Sequence, residues 1–200
     1  MILIGVAGGI ASGKSLVSEQ LIRLGAEVLD ADRAGHDVLR DPEVTEAIRR
    51  RWGDDVFDAA GEIDRSEVAK IVFAPPPAGP EELTYLEQLT HPRIGQRLRE
   101  RMAALARGRQ SLVAVLDAPV MFKAGWDKMC DKVLFVDATR ELRLARAKSR
   151  GWSEAEFDAR EAAQESLDVK RSRADVIIDN SSSPEHTYAQ VERFWRSLEE

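Results

Sequence analysis

A chain of 200 residues, 44% of them hydrophobic, is long enough to bury one full core with a smaller inserted lobe. Its 29 Lys and Arg against 35 Asp and Glu leave a net charge of -6, without the positive field a polyanion needs, so nucleic acid is not expected as a partner. No apolar run reaches the roughly 18 residues of a membrane span, no Cys/His cluster has zinc spacing, and the lone Cys130 can form no internal disulfide; a soluble, cytoplasmic protein without membrane contact is expected.

The chain opens on an apolar run at residues 2–7 that lacks the preceding positive region of a signal peptide and reads as a strand. Directly after it stands Gly8-Gly9-Ile10-Ala11-Ser12-Gly13-Lys14-Ser15, followed by Leu16 and an amphipathic segment. A phosphate needs several donors converging from one side, and Gly8 and Gly13 let backbone N–H groups approach it without an intervening side chain. A helix starting near Lys14 turns its first-turn amides and its dipole on the same anion. Residues 8–16 are therefore expected to cradle the phosphates of ATP, with Lys14 reaching the β- and γ-phosphates and the Ser15 hydroxyl offered to Mg²⁺. The competing reading is a flexible glycine-rich turn, and the position between a strand and an amphipathic helix argues against it.

A second short run, residues 26–30, brings Asp30-Ala31-Asp32 to the carboxyl end of a strand, where open α/β sheets bind their ligands. Phosphoryl transfer needs a carboxylate that accepts or orients the proton of the acceptor hydroxyl, and Asp32 is the candidate; the alternative for the pair is a helix cap and a solvated turn residue. About eighty residues then pass with no convincing strand, too many for a crossover of a dozen or so, and a helical insertion over about 33–110 is expected. Within it, Pro75-Pro76-Pro77-Ala78-Gly79-Pro80 interrupts any helix and reads as a surface linker. His91 reads as a helix cap before Pro92, after which Ile94, Leu98, Met102 and Leu105 share one face while Arg97, Arg99, Glu100 and Arg101 stay off it.

The third run, residues 111–117, ends on Asp117, placed like the acid that supports Mg²⁺ through water in P-loop enzymes, or else a helix cap before Pro119. Neither the Asn-Lys-x-Asp element of a guanine site nor an Asp-x-x-Gly after this run is present, which favours a kinase over a switch GTPase. Runs at 132–137 and 175–179 complete five near-continuous apolar stretches separated by helical ones, the pattern of a parallel sheet covered on both faces. Between these two runs, Arg143, Arg146 and Arg150 fall within about a 60° arc of one helix. Gly151-Trp152-Ser153 supplies a hinge and cap, and Arg160, Gln164, Leu167 and Arg171 recur at helical spacing across a second helix. This hairpin, about 140–173, reads as a lid whose arginine forks meet phosphate, the alternative being a solvated basic face. The core is then 1–32, 111–139 and 174–200.

Taken in order, these elements resemble the dephospho-CoA kinase family along almost the whole chain. The resemblance rests on the Gly-Gly-Ile-Ala-Ser-Gly-Lys-Ser loop, Asp30-Ala31-Asp32, His91-Pro92, Asp117-Ala118-Pro119, the lid residues Arg146, Arg150, Arg160 and Gln164, and Ala174-Asp175-Val176-Ile177-Ile178-Asp179-Asn180. It implies an α/β P-loop NTPase-type fold, a parallel sheet flanked by helices with a helical substrate-binding insertion and a helical lid. The implied activity moves the γ-phosphate of ATP to the ribose 3′-hydroxyl of dephospho-CoA, the last step in making coenzyme A. Asp32 would engage that hydroxyl, Arg146 and Arg150 would contact phosphates, and the insertion around His91 would help bind the acceptor. Two positions depart from the family pattern. Leu16 stands where threonine is usual, and Lys123 where an acid is usual, which reverses a charge near the acceptor site.

Overall fold

The computed structural model describes residues 1–107 and 112–198. The chain falls into two compact units, Met1–Leu29 with Met102–Glu200, and Asp30–Arg101.

In the first unit, five parallel strands form one sheet: β1 (Ile2–Gly8), β2 (Glu27–Leu29), β3 (Val113–Asp117), β4 (Lys132–Asp137) and β5 (Val176–Asp179), in spatial order β2-β3-β1-β4-β5. Each matches an apolar run of the sequence to within two residues, except that Ser111, the expected start of the third run, lies outside the described residues. β1 is central and shielded on both faces, with Leu3, Ile4 and Val6 all 0% exposed. That burial is why the run is continuous rather than alternating. The chain moves to one side of β1 for β2 and β3 and to the other for β4 and β5, so a ligand crevice opens at the carboxyl end of β1. Register places Val6 beside Asp117 and Gly8 beside Val136.

The first helix of this unit is α1 (Lys14–Arg23). Its Val17 and Leu21 pack with Ile4, Val6, Val115, Leu134, Val136, Ile178, Val191 and Phe194 into one apolar cluster. Each such side chain contributes about 1.5–3 kcal/mol by leaving water. The opposite face of β1 is approached closely at Gly5, where a Cβ would lie 2.6 Å from Met121 Sδ.

The second unit holds α2 (Ala31–Leu39), α3 (Pro42–Trp52), α4 (Arg65–Val72) and most of α5 (Ala78–Ala106), whose last turn, from Met102 on, belongs to the first unit. Here two expectations give way. The proline-rich segment stops no helix beyond Pro77, because Gly79 and Pro80 sit in the first turn of α5, where proline's missing N–H is not needed. His91 is not a cap either: α5 runs through Pro92. Side chains serve the neighbouring carbonyls there, Thr90 Oγ1 donating to Leu86 O at 2.8 Å and Arg93 Nη1 to Leu89 O at 2.8 Å. Ile94 and Leu98 of the expected stripe are buried, Met102 and Leu105 half-buried, and Arg97, Arg99, Glu100 and Arg101 exposed.

Back in the first unit, the residues expected to form a lid fold as α6 (Arg140–Ser149), α7 (Glu154–Ala162) and α8 (Leu167–Ser172), and α9 (Pro184–Arg196) follows β5. Gly151 has φ 86 in the turn after α6, and Ser153 forms a full capping box with Glu156, the expected cap. The single second helix expected from Arg160 to Arg171 is instead two, because Ser166 caps a new start by accepting from the Val169 N–H at 3.3 Å. Among the described residues no helix is long and apolar enough to cross a membrane.

Candidate active site

The loop joining β1 to α1 owes its shape to backbone conformations that few residues tolerate. Gly8 has φ 154, and a Cβ there would stand 2.7 Å from Val136 O. Gly13 has φ 99, and a Cβ would run into the Asn180 side-chain amide. Between them Ala11 holds φ 56, a left-handed conformation costing a non-glycine residue about 1–2 kcal/mol. Successive N–H groups in such a turn form a concave anion nest, which the amino end of α1 completes.

Buried groups clamp the loop from outside. Asn180 is 3% exposed; its Nδ2 donates to Ser12 O at 2.7 Å and its Oδ1 accepts from Thr187 Oγ1 at 2.8 Å, which fixes the amide's orientation. Arg146 Nη1 donates to the same Ser12 carbonyl at 3.1 Å and Nη2 to Asn180 O at 2.9 Å. One carbonyl thus takes two donors, and Arg146 ties α6 to the loop. Asn180 closes the 174–180 segment that carries part of the family resemblance, but the sequence gives it no role at the site; the fold does.

A cavity of about 310 Å³ opens on this side, lined by residues 11–16, Arg146, Arg150, Asn180, Ser182 and Pro184. Lys14 Nζ donates to Gly9 O at 3.4 Å. Burial pushes its ammonium below the ordinary lysine range, with the Asp117 charge opposing and the Arg150 charge adding. Asp117 accepts from Ser18 Oγ at 3.2 Å through Oδ2. Ser15 is exposed in the first turn of α1. A hydroxyl and a carboxylate are hard oxygen donors that fit Mg²⁺, which needs few protein ligands when phosphates supply the rest. Among the described residues no three His, Cys, Asp or Glu side chains converge as a metal cage.

The three arginines that share a face of α6 have separate partners. Arg143 is 3% exposed, pairs with Glu161 at 2.5 Å, donates to Ala138 O at 3.2 Å and lies over the Phe157 ring, so it joins α6 to α7. Arg146 holds the loop. Arg150 lines the cavity, and among the described residues no carboxylate pairs with it. Farther on, Arg160 stacks on Trp152 at 4.2 Å and Arg171 pairs with Asp137. Lys123 is exposed in the turn after β3.

In the second unit, Asp30 and Asp32 separate cleanly. Asp30 is the N-cap of α2, accepting from the Arg33 N–H at 2.8 Å. Asp32 lies in the first turn, exposed, and among the described residues its carboxylate makes no hydrogen bond or ion pair. His91 is half-buried within α5.

Comparison with known proteins agrees with this geometry. The family model for dephospho-CoA kinase matches residues 2–185. A dephospho-CoA kinase of Symbiobacterium thermophilum is 42% identical over 200 residues, covering 98% of this chain and 81% of that protein. One of Syntrophotalea carbinolica is 40% identical over 193 residues, covering 96% and 89%. Among solved structures, a protein from Thermus thermophilus matches with a TM-score of 0.77 at 31% sequence identity, over 98% of this chain and 97% of that one. With a kinase-type phosphate loop at the central strand of a parallel sheet and relatives of this identity over its full length, the chain belongs to the dephospho-CoA kinase family.

Proposed function

We propose that this protein transfers the γ-phosphate of ATP to the ribose 3′-hydroxyl of dephospho-CoA. The observation that carries the reading is the convergence of Lys14, Ser15, Arg146 and Arg150 on one cavity at the amino end of α1, in a chain of this family. Transfer of a phosphoryl group asks the protein mainly for positioning and charge neutralisation. Gly8, Gly9, Ile10, Ala11, Ser12, Gly13 and Leu16 form the loop that turns amides on the phosphates. Lys14 holds the β- and γ-phosphates, and Arg150 meets the charge that develops as the bond to the leaving group breaks. Ser15 and Asp117 would hold Mg²⁺, which would neutralise phosphate charge. Asp32 orients or deprotonates the acceptor hydroxyl; its unengaged carboxylate supports it over Asp30, whose oxygen is occupied as a cap. His91 and Lys123 belong to the acceptor side, and a cytoplasmic setting supplies both substrates.

The test is direct. The pure protein is incubated with ATP, Mg²⁺ and a panel of dephospho-CoA, adenosine and nucleoside monophosphates, and the acceptor that gains phosphate is identified; exclusive phosphorylation of a nucleoside would overturn the reading. Asp32→Asn should cut transfer about 10²–10⁴-fold with ATP affinity unchanged. Asp30→Ala should keep transfer and cost about 1 kcal/mol of stability, the loss of a cap.

A further inference from the structure

Lys170, on α8, is 6% exposed and the one buried lysine among the described residues. Its ammonium donates to Gln164 Oε1 at 2.8 Å. The charges that reach it are Lys14 and Glu165, and Glu165 is paired with Arg173 at 3.6 Å instead. Among the described residues no carboxylate forms an ion pair with Lys170. Burying an ammonium without an anion is costly, and a leucine or methionine would fill the same space without that cost.

The neighbourhood suggests which anion is missing. α8 lies against the phosphate loop: a Cβ on Gly9 would come within 3.0 Å of Leu167 Cδ2, one turn before Lys170. Lys14 reaches the same residue, through the Gly9 carbonyl. Arg146 and Arg150 serve the other flank, where Arg146 Nη1 is 3.8 Å from a Cβ placed on Gly13. Burial, and then the repulsion of Lys14, hold the Lys170 ammonium below the ordinary lysine range. A polyphosphate that reached both ammonium groups would relieve both effects at once.

We infer that Lys170 is a second phosphate-binding ammonium of the donor site, engaging the polyphosphate from the Gly9 flank of the loop, with Gln164 aiming its side chain. This rests on the kinase reading above. A phosphate oxygen beside Lys170 favours its charged form, so binding should take up protons at alkaline pH, where burial leaves the group less fully charged than an ordinary lysine.

Lys170→Met and Lys170→Arg test the inference. Lys170→Met should melt no lower than the wild type, bind ATP about tenfold more weakly and lose about 10²-fold in kcat, and Lys170→Arg should recover most of the loss. Proton uptake on binding inorganic tripolyphosphate at pH 9, measured by calorimetry in two buffers of different ionisation heat, should fall in Lys170→Met. A packing role would change the melting temperature and leave uptake alone. Lys170→Met with kcat and ATP affinity within threefold of wild type overturns the proposal. Should that variant not fold, the wild type decides. Its Lys170 Nζ resonance, assigned with Lys170→Arg, should titrate at higher pH once tripolyphosphate is added, and an unmoved titration overturns the proposal. Tripolyphosphate needs no acceptor, so this arm stands apart from the acceptor panel: failure there refutes the dephospho-CoA reading without touching Lys170.

Discussion

The loop between β1 and α1 and the hairpin of α6 and α7 both carry cations to the cavity beside the loop, and they are held in different ways. In the loop the restraint is backbone: Gly8, Ala11 and Gly13 at positive φ, and the Ser12 carbonyl held by Asn180 and Arg146. In the hairpin it is charge: Arg143 with Glu161 at 2.5 Å, Arg140 with Asp158 at 2.5 Å and Lys148 with Glu154 at 3.0 Å. The two exposed pairs, Arg140–Asp158 and Lys148–Glu154, are worth about 0–1 kcal/mol each and weaken with salt, the buried Arg143–Glu161 pair is worth more, and the backbone conformations of the loop have no cheap alternative. The loop is thus set by backbone geometry, and the hairpin by ion pairs, with Arg146 joining the two.

The largest effect that would sharpen this contrast belongs to Lys14. Lys14→Met should lower kcat/KM by about 10³-fold, the loss of a charged donor at the transferring phosphate, without lowering the melting temperature, since a desolvated charge is removed. Unfolding of this variant would mean that the lysine is part of the frame. Gly13→Ala attacks the frame itself. It should cost about 1–2 kcal/mol for the left-handed backbone and lower transfer about 10²-fold through displacement of Asn180, read by thermal melting and single-turnover rates.

The arginines of α6 divide the contrast more finely. Arg143→Ala should cost about 3 kcal/mol, the low end for removing one partner of a buried pair because Glu161 keeps some water contact, while kcat per folded molecule changes little. Arg150→Ala should do the reverse, lowering kcat about tenfold or more at an unchanged melting temperature. If both variants behaved alike, in either direction, the distinction between a joint within the hairpin and a phosphate contact would collapse.

The smallest effect lies outside both regions. Burial first, and the carboxylates of Asp127, Asp131 and Asp175 after it, push the Cys130 thiol up from 9.0 to about 12. A folded pKa above the unfolded one means that the unfolded chain releases its proton first. The thiol's stabilising contribution is therefore complete below pH 9.0 and is lost as the pH rises toward about 12. Cys130→Ala should flatten that part of the stability profile, and alkylation of native Cys130 at pH 8 should be far slower than that of the denatured chain.

Much of this was legible before folding. The apolar runs located all five strands, in β1, β3 and β4 because burial on both faces leaves no room for alternation, and the glycines of the loop announced a phosphate nest because positive φ and close approach are local demands. Other local signals misled. Proline at positions 80 and 92 suggested breaks, yet a first turn needs no proline N–H and side chains can serve the carbonyls near an internal one. Helical spacing from Arg160 to Arg171 did not register the restart at Ser166.

Pairing was beyond the reach of spacing. Arg143, Arg146 and Arg150 share one arc of a helix and so look alike in one dimension. Only the fold sets Glu161 against the first and Ser12 with Asn180 against the second, and leaves the third facing the cavity. Sequence favours Asp32 over Asp30 as the acceptor-side acid, and the fold adds the capping bond that occupies Asp30. Nothing in the spacing of the sequence marks Lys170. Its burial depends on α8 closing over Gly9, a contact between residues some 160 positions apart. Backbone conformation and apolar periodicity are set by neighbours along the chain and can be read there; the partner of a charge is set by neighbours in space, which the tertiary fold alone brings together.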